Sequence, residues 1–159
     1  MKFIVDSNVG RLARWLRIAG FDTVFINDLD DNRLVRLALS EGRVLLTKDT
    51  QILKRRVATT GRLRVILIES EEVKAQLRQV VKTLKLAEKI KPFTLCLECN
   101  QPLVPKDKEE VKGHVPPYVF KTQTQYMECP ACHRIYWQGT HWEAMAQRLK
   151  RANERRSPS

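Results

Sequence analysis

The sequence predicts an α/β fold with a mostly parallel sheet and a small second module, and three observations carry this prediction. Short apolar runs typical of buried strands alternate four times with segments whose apolar residues recur at helical spacing. Strands joined through helices form right-handed crossovers and pair in parallel. The pattern changes near residue 89, beyond which all four cysteines lie among prolines. We therefore expect domains over residues 1–88 and 89–151, with residues 152–159 as a disordered tail.

Each element has its own local signal. The four strands are short and continuously apolar, which suits a sheet covered on both faces. They are expected at residues 2–5, 23–26, 43–47 and 64–68. Helices are expected at residues 8–19, from an Asp30 or Asp31 cap to Gly42, at 50–56 and at 71–86. A closing helix is expected at 139–151, where Thr140 and Glu143 have capping-box spacing.

Composition and charge restrict the classes of protein to which the chain can belong. No apolar run approaches the roughly 20 residues of a membrane span, and the first run stops at Asp6 without a signal-peptide pattern. We therefore expect a cytoplasmic protein. The net charge is +11, from 29 basic and 18 acidic residues, and most of the surplus lies in residues 1–91. Such a charge favours a polyanionic partner, of which nucleic acid is the common one, although solubility alone also explains it.

The four cysteines form two CxxC pairs, CLEC and CPAC, separated by 29 residues. Each pair can deliver two thiolates to one side of a tetrahedral ion, which predicts a zinc site. Because four thiolates leave no coordination position open, the zinc is expected to be structural. A redox pair or two disulfides would be weaker interpretations. The predicted zinc ligands are Cys96, Cys99, Cys129 and Cys132.

Acidic residues follow each predicted strand. Because ligands gather outside the carboxyl ends of parallel strands, these acids are expected to converge and to bind Mg²⁺ or Mn²⁺. Two such ions can activate water at a phosphodiester. Each acid also has a simpler interpretation as a helix cap or a first-turn residue. The candidates are Asp6 after strand one, Asp28, Asp30 and Asp31 after strand two, Asp49 after strand three, and Glu69 after strand four.

Basic and aromatic residues lie close to these acids in the sequence. Arg11 and Arg14 recur on the helix that follows Asp6, beside Trp15, and Lys48 precedes Asp49. The segment Lys54–Arg56 adds three further cations. We expect the cations to contact phosphates and Trp15 to stack on a base, so that RNA-binding residues would be Arg11, Arg14, Trp15 and Lys48.

On these residues, the chain resembles the PIN-like ribonucleases that carry a C-terminal four-cysteine zinc ribbon. That family includes small prokaryotic proteins and the C-terminal domain of some animal exonuclease homologues. The resemblance lies in FIVDSNVGRLARWLRIAGFDT, DDNRLVRLALSEGRVLLTKD, VPPYV, YWQGTHWE and the cysteine segment. It implies a three-layer nuclease domain over residues 1–88, a zinc ribbon over 89–151, and Mg²⁺- or Mn²⁺-dependent endoribonuclease activity. The matching acids would be Asp6, Asp49 and either Asp31 or Asp30, with Glu69 or Ser70 at the fourth position.

Other functions compete with a nuclease. A non-catalytic RNA- or ribosome-binding protein, built on a silent PIN scaffold with a zinc ribbon, fits the charge and the cysteines equally well. A receiver-type domain with Asp49 as phosphoacceptor fits less well, because a single acid follows strand one. A toxin nuclease that binds an antitoxin is a variant of the nuclease interpretation. Single-stranded or structured RNA is the expected partner, with the ribosome and tRNA as candidates, and PIN-fold proteins often form homodimers.

Overall fold

The computed structural model describes residues 1–137, which fall into two compact units. One unit comprises Met1–Leu16 and Phe21–Lys89, and the other comprises Arg17–Gly20 and the chain from Ile90 onwards. The closing helix predicted at 139–151, with its Thr140–Glu143 capping box, lies outside the described residues, as does the tail. Within residues 1–137, every helix is too short or too polar to cross a bilayer.

The first unit is built on a four-stranded sheet in which every pairing is parallel. Its order is β2-β1-β3-β4, so β1 and β3 lie at the centre. Both central strands are almost entirely buried, as expected from their continuous apolar sequences. The predicted α/β fold with a parallel sheet is therefore confirmed. The strands are β1 (Lys2–Val5), β2 (Asp22–Phe25), β3 (Val44–Thr47) and β4 (Val65–Leu67).

Five helices connect and flank these strands. They are α1 (Arg11–Ile18), α2 (Asp31–Glu41), α3 (Thr50–Leu53), α4 (Arg56–Thr59) and α5 (Val73–Thr83). The predicted helix at 50–56 is in fact two short helices, because Arg55 is extended. The predicted helix at 8–19 begins late, at Arg11, after a 3₁₀ turn over Ser7–Val9. The Asp6 carboxylate caps this tight turn, which delays the start of the regular helix.

Apolar side chains from the strands and helices form the core that holds the strand ends in place. One buried cluster joins Ile4 and Leu45 of the central strands to α2, α3 and the approach to β4. Its other members are Leu34, Val35, Ala38, Ile52 and Leu63. This packing holds α2 and α3 against the sheet, and each helix begins directly after an aspartate that caps it.

The second unit contains a three-stranded antiparallel sheet of order β5-β6-β7. A short helix, α6 (Pro117–Thr122), packs beside it through a small core of Val111, Val119 and Tyr126. The Tyr126 hydroxyl donates to the carbonyl oxygens of Val119 and Gln123, so this buried tyrosine has polar partners. The sheet consists of β5 (Val104–Lys106), β6 (Tyr126–Glu128) and β7 (Ile135–Trp137).

Candidate active site and metal centre

Asp6 is a buried carboxylate at the end of β1, and three groups donate to it. The Ser7 amide donates to Oδ1 at 2.8 Å, and the Asn8 side chain donates to Oδ2 at 3.3 Å. The Thr47 hydroxyl, at the end of neighbouring β3, donates to Oδ2 at 2.7 Å. A carboxylate with three donors is held in a fixed orientation.

Asp49 lies two residues beyond the end of β3. Its amide donates to the Thr47 hydroxyl at 3.0 Å, and its Oδ1 accepts from the Gln51 amide at 2.9 Å. The side chain therefore caps α3, as its simpler interpretation predicted. The capping bond occupies one carboxylate oxygen and leaves Oδ2 able to bind a further cation or donor.

Asp31, in the first turn of α2, connects these two acids electrostatically. Burial raises the pKa of the Asp31 carboxyl, and repulsion from Asp49 and Asp6 raises it further, together with a hydrogen bond to Asp49. Arg55 acts in the opposite direction and favours the charged form. Three carboxylates from three different elements therefore share one electrostatic environment, although they are distant in sequence.

The other candidate acids have separate roles. Asp30 caps α2 by accepting from the Arg33 amide at 2.9 Å, and it also pairs with the Arg33 guanidinium. Asp28 is exposed with a φ of 58°, and its amide donates to the Ser7 hydroxyl. Glu69 is exposed, and its amide donates to the Gln79 side chain. The charged groups that shift the pKa of Asp31 are Asp49, Asp6 and Arg55. Asp28, Asp30 and Glu69 do not contribute to that shift.

The predicted basic residues differ in their surroundings. Arg11 and Arg14 are exposed on α1. Trp15 is half-buried, with the Lys74 ammonium 6.0 Å from its ring centroid. Lys48 forms an ion pair with Glu71, and its own amide donates to the Asn8 side chain at 3.2 Å. The Lys48 charge is therefore already partnered in the protein.

The four cysteines of the second unit meet at one point, and their sulfur atoms lie within 4.8 Å of one another. In each pair the amide of the second cysteine is directed at the sulfur of the first, from Cys99 to Cys96 at 3.4 Å and from Cys132 to Cys129 at 3.5 Å. Such turns are suited to a tetrahedral ion, so the four cysteines could bind zinc. Among residues 1–137, no other set of three or more such ligands is as compact, and this includes the aspartates.

Protonation of the thiols also fits a cation site. Burial alone would raise the pKa of Cys96, but hydrogen bonds from the Tyr136 hydroxyl and from the Cys99 and Glu98 amides outweigh it and lower the pKa to about 7. The hydrogen bond with Cys132 and partial burial raise the pKa of Cys99 to about 12. Four crowded sulfurs cannot all ionise without a cation between them, and a divalent ion would replace their protons.

The sequence model of one family, the Mut7-C RNAse domain, matches residues 1–149, which is nearly the whole chain. The chain belongs to the Mut7-C RNAse domain family. This confirms the resemblance to a family of ribonuclease domains. No curated protein and no solved structure gives a significant match.

Two residues of this Mut7-C domain were missing from the predicted site. Thr47 joins Asp6 to the Asp49 amide through its hydroxyl. The only feature of the sequence that could have indicated this role is the position of Thr47 in LLTKD, between a buried strand and an acid. Arg55 was grouped with neighbouring cations, but it is the one that acts on Asp31 and donates to the Asn32 side chain at 2.8 Å. Both residues act through contacts between distant parts of the chain.

Proposed function

We propose that this Mut7-C domain is a metal-dependent endoribonuclease that hydrolyses RNA phosphodiester bonds. Asp6, Asp31 and Asp49 would hold Mg²⁺ or Mn²⁺, directly or through water. The observation that carries the proposal is the position of Asp6 and Asp49 at the ends of neighbouring parallel strands, where the Thr47 hydroxyl joins them. Repulsion from both acids also helps to raise the pKa of Asp31, which places this third carboxyl near them. Carboxylates that repel one another at a strand-end site gain stability from a hard divalent cation.

When bound, the metal would supply an activated water and stabilise the leaving oxygen. The protein's own groups would position the metal ligands and contact the RNA. Thr47 and the Ser7 amide hold Asp6 in place, so that its carboxylate need not reorganise. Arg55 lies close enough to Asp31 to favour its charged form, and it could also contact a phosphate. No nucleophilic side chain is required.

The rest of the proposal follows the resemblance. The first unit would be a PIN-like three-layer nuclease, and the second a zinc ribbon with a structural Zn²⁺ held by the four cysteines. Arg11, Arg14, Trp15 and Lys48 would guide the RNA backbone towards the acids, with Asp28 and Asp30 at the margin of the site. The protein would act in the cytoplasm, on single-stranded or structured RNA.

One observation favours a second function. The three aspartates are not as compact a set of ligands as the cysteines, and Asp49 already caps a helix. A protein that binds RNA or the ribosome through its basic surface, without cutting, would need no tighter acidic site. The two functions differ in divalent-metal affinity and in cleavage.

The deciding experiment uses the full chain with labelled linear and circular single-stranded RNA, in Mn²⁺ or EDTA. Asp6→Asn and Asp49→Asn are compared with Asp107→Asn, a matched control because Asp107 also caps a turn, in the second unit. We expect the wild type and the control to cut both RNAs, and the two site variants and the EDTA samples to lose at least about a hundredfold in rate. RNA that is bound by all proteins but cut by none would establish the binding function instead.

A further inference from the structure

A cleft in the first unit begins directly beside Asp6. It has a volume of about 590 Å³, which is in the range of small-molecule sites. Ser7 and Asn8, the two residues after Asp6, form part of its wall, together with Arg11, Phe25, Glu71 and Gln76. The cleft therefore combines an aromatic ring, an amide and a cation within one concave surface next to the acidic site.

Gly10 is the reason that Phe25 can occupy this cleft. The backbone of Gly10 is ordinary right-handed helix, with a φ of −55°, so its conformation does not require glycine. Space does, because a Cβ at this position would lie 2.9 Å from Cζ of the Phe25 ring. The missing side chain leaves room for the ring against the turn that carries Ser7 and Asn8.

Gln76 presents a buried acceptor to the same cleft. The residue is only 5% exposed, and its Nε2 donates to the Ser70 carbonyl oxygen at 2.8 Å. That bond fixes the orientation of the amide, and among residues 1–137 no group donates to its Oε1. Because Gln76 lines the cleft, a ligand that carries an N–H group could donate to its Oε1 in place of water.

We infer that this cleft is a nucleobase subsite, which binds one base of the RNA beside the phosphate at the acidic site. Phe25 would provide a surface for the base, and Gln76 Oε1 would accept from an amino or ring N–H group on its edge. Arg11 would neutralise the adjoining phosphate. The position of this base relative to a cut rests on the proposed nuclease function. The binding of a base in the cleft does not.

The chemistry of the cleft favours a base over other ligands. Bases carry both a flat apolar face and N–H donors on one edge, which match an aromatic ring and an amide acceptor. The acidic Glu71 at the rim is paired with Lys48, so that it does not repel the ribose–phosphate chain as a free charge would. A purely apolar ligand would leave Gln76 Oε1 without a donor.

The first test measures how fast a randomised RNA pool is cut in Mn²⁺. The variants are Phe25→Leu, which removes the ring, and Gly10→Ala, which displaces it. The matched control is Phe120→Leu, which removes a half-buried ring in the second unit. Because stacking on a ring tolerates every base, the rate of cutting is the readout, and we expect it to fall by about tenfold in both cleft variants relative to the wild type and the control. An unchanged rate in Phe25→Leu would overturn the inference.

A second test works without cleavage. NMR spectra of the full chain in EDTA are recorded with each of the four ribonucleoside monophosphates, for the wild type, Phe25→Leu and Phe120→Leu. We expect shifts at the amides of Phe25 and Gln76 that vanish in Phe25→Leu only. If no protein cuts RNA but these shifts occur, the nuclease proposal fails and the subsite stands. If RNA is cut but no nucleotide shifts these signals, the subsite is wrong and the nuclease stands.

Discussion

The hydroxyl of Thr47 donates to Oδ2 of Asp6 at 2.7 Å, and it thereby joins the end of β3 to the end of β1. The same hydroxyl accepts from the Asp49 amide at 3.0 Å. Thr47 is fully buried, so both bonds are shielded from water. One side chain therefore sets the positions of two of the three proposed metal ligands.

Replacement of Thr47 by valine keeps the shape of the side chain but removes this hydroxyl. Asp6 loses a donor and the Asp49 amide loses an acceptor, so we expect the free energy of unfolding to fall by about 1–3 kcal/mol. Urea denaturation measures this, and calorimetric titration with Mn²⁺ should show weaker binding. Thr47→Ser, which keeps the hydroxyl, is the control. Equal stability and metal affinity in the two variants would contradict the role given to Thr47.

The Asp31→Asn variant tests the repulsion between the acids. The folded protein raises the pKa of Asp31 above its ordinary value of 3.8, so the folded state holds this proton more tightly than the unfolded state does. Stability is therefore lost as the pH rises from 3.8 through the folded pKa, and at neutral pH the charged carboxylate destabilises the fold. We expect Asp31→Asn to melt at a higher temperature than the wild type at pH 7.

Two further results are expected from the same melting experiments. The advantage of Asp31→Asn should disappear below about pH 3.8, where the wild-type carboxyl is protonated in both states. Mn²⁺ should raise the melting temperature of the wild type more than that of the variant, because the cation offsets repulsion that the variant lacks. A variant that is less stable than the wild type at pH 7, but equally stable below about pH 3.8, would show that Asp31 acts chiefly through the α2 dipole.

Glu71 restrains Lys48 through their ion pair. Glu71→Gln should release the Lys48 ammonium for a phosphate, and we expect RNA affinity in EDTA to increase a few-fold, with a salt dependence steeper by about one counterion. Fluorescence anisotropy at several salt concentrations measures both. Glu72→Gln is the matched control, since it makes the same charge change at the next exposed position. Identical effects of the two variants would mean that general charge, and not the Lys48 pair, is responsible.

Tyr136 should tune the affinity of the cysteine site for zinc. Its hydroxyl lies 3.2 Å from the Cys96 sulfur and also accepts from the Leu97 amide at 3.2 Å. Tyr136→Phe removes a group that stabilises the Cys96 thiolate, and we expect zinc affinity to fall by about tenfold, as for other groups that support metal ligands. Competition with a chromogenic chelator measures this. Tyr118→Phe, at a tyrosine that is 70% exposed, should leave the affinity unchanged.

Zinc removal gives a further readout of the same site. Because thiolates are the ligands, binding should release protons and weaken at low pH. We expect a strong chelator to unfold the second unit, seen as a loss of near-UV circular dichroism from its aromatic residues, while the first unit keeps its helical signal. Retention of the full signal in metal-free protein would show that the second unit folds without zinc.

Several features were predictable from the sequence because they depend on neighbouring residues. The alternation of apolar strands and helices determined the parallel sheet, and all four strands lie within a residue or two of their predicted positions. The CxxC spacing likewise predicted which cysteines meet, since each pair forms its turn locally. Helix ends were less accurate, because caps such as Asp6 and breaks such as Arg55 depend on hydrogen bonds that apolar periodicity does not encode.

Only the tertiary structure decided which acids act together. Asp30 and Asp31 are adjacent in the chain, yet one caps α2 and the other interacts with Asp49 and Asp6, because Asp30 has an extended backbone while Asp31 is the first residue of the helix. The pairing of Lys48 with Glu71 depends on how α5 returns to the sheet after β4. The sequence by itself thus determined the elements and the chemistry available at their ends, while the packing of distant segments decided which groups meet.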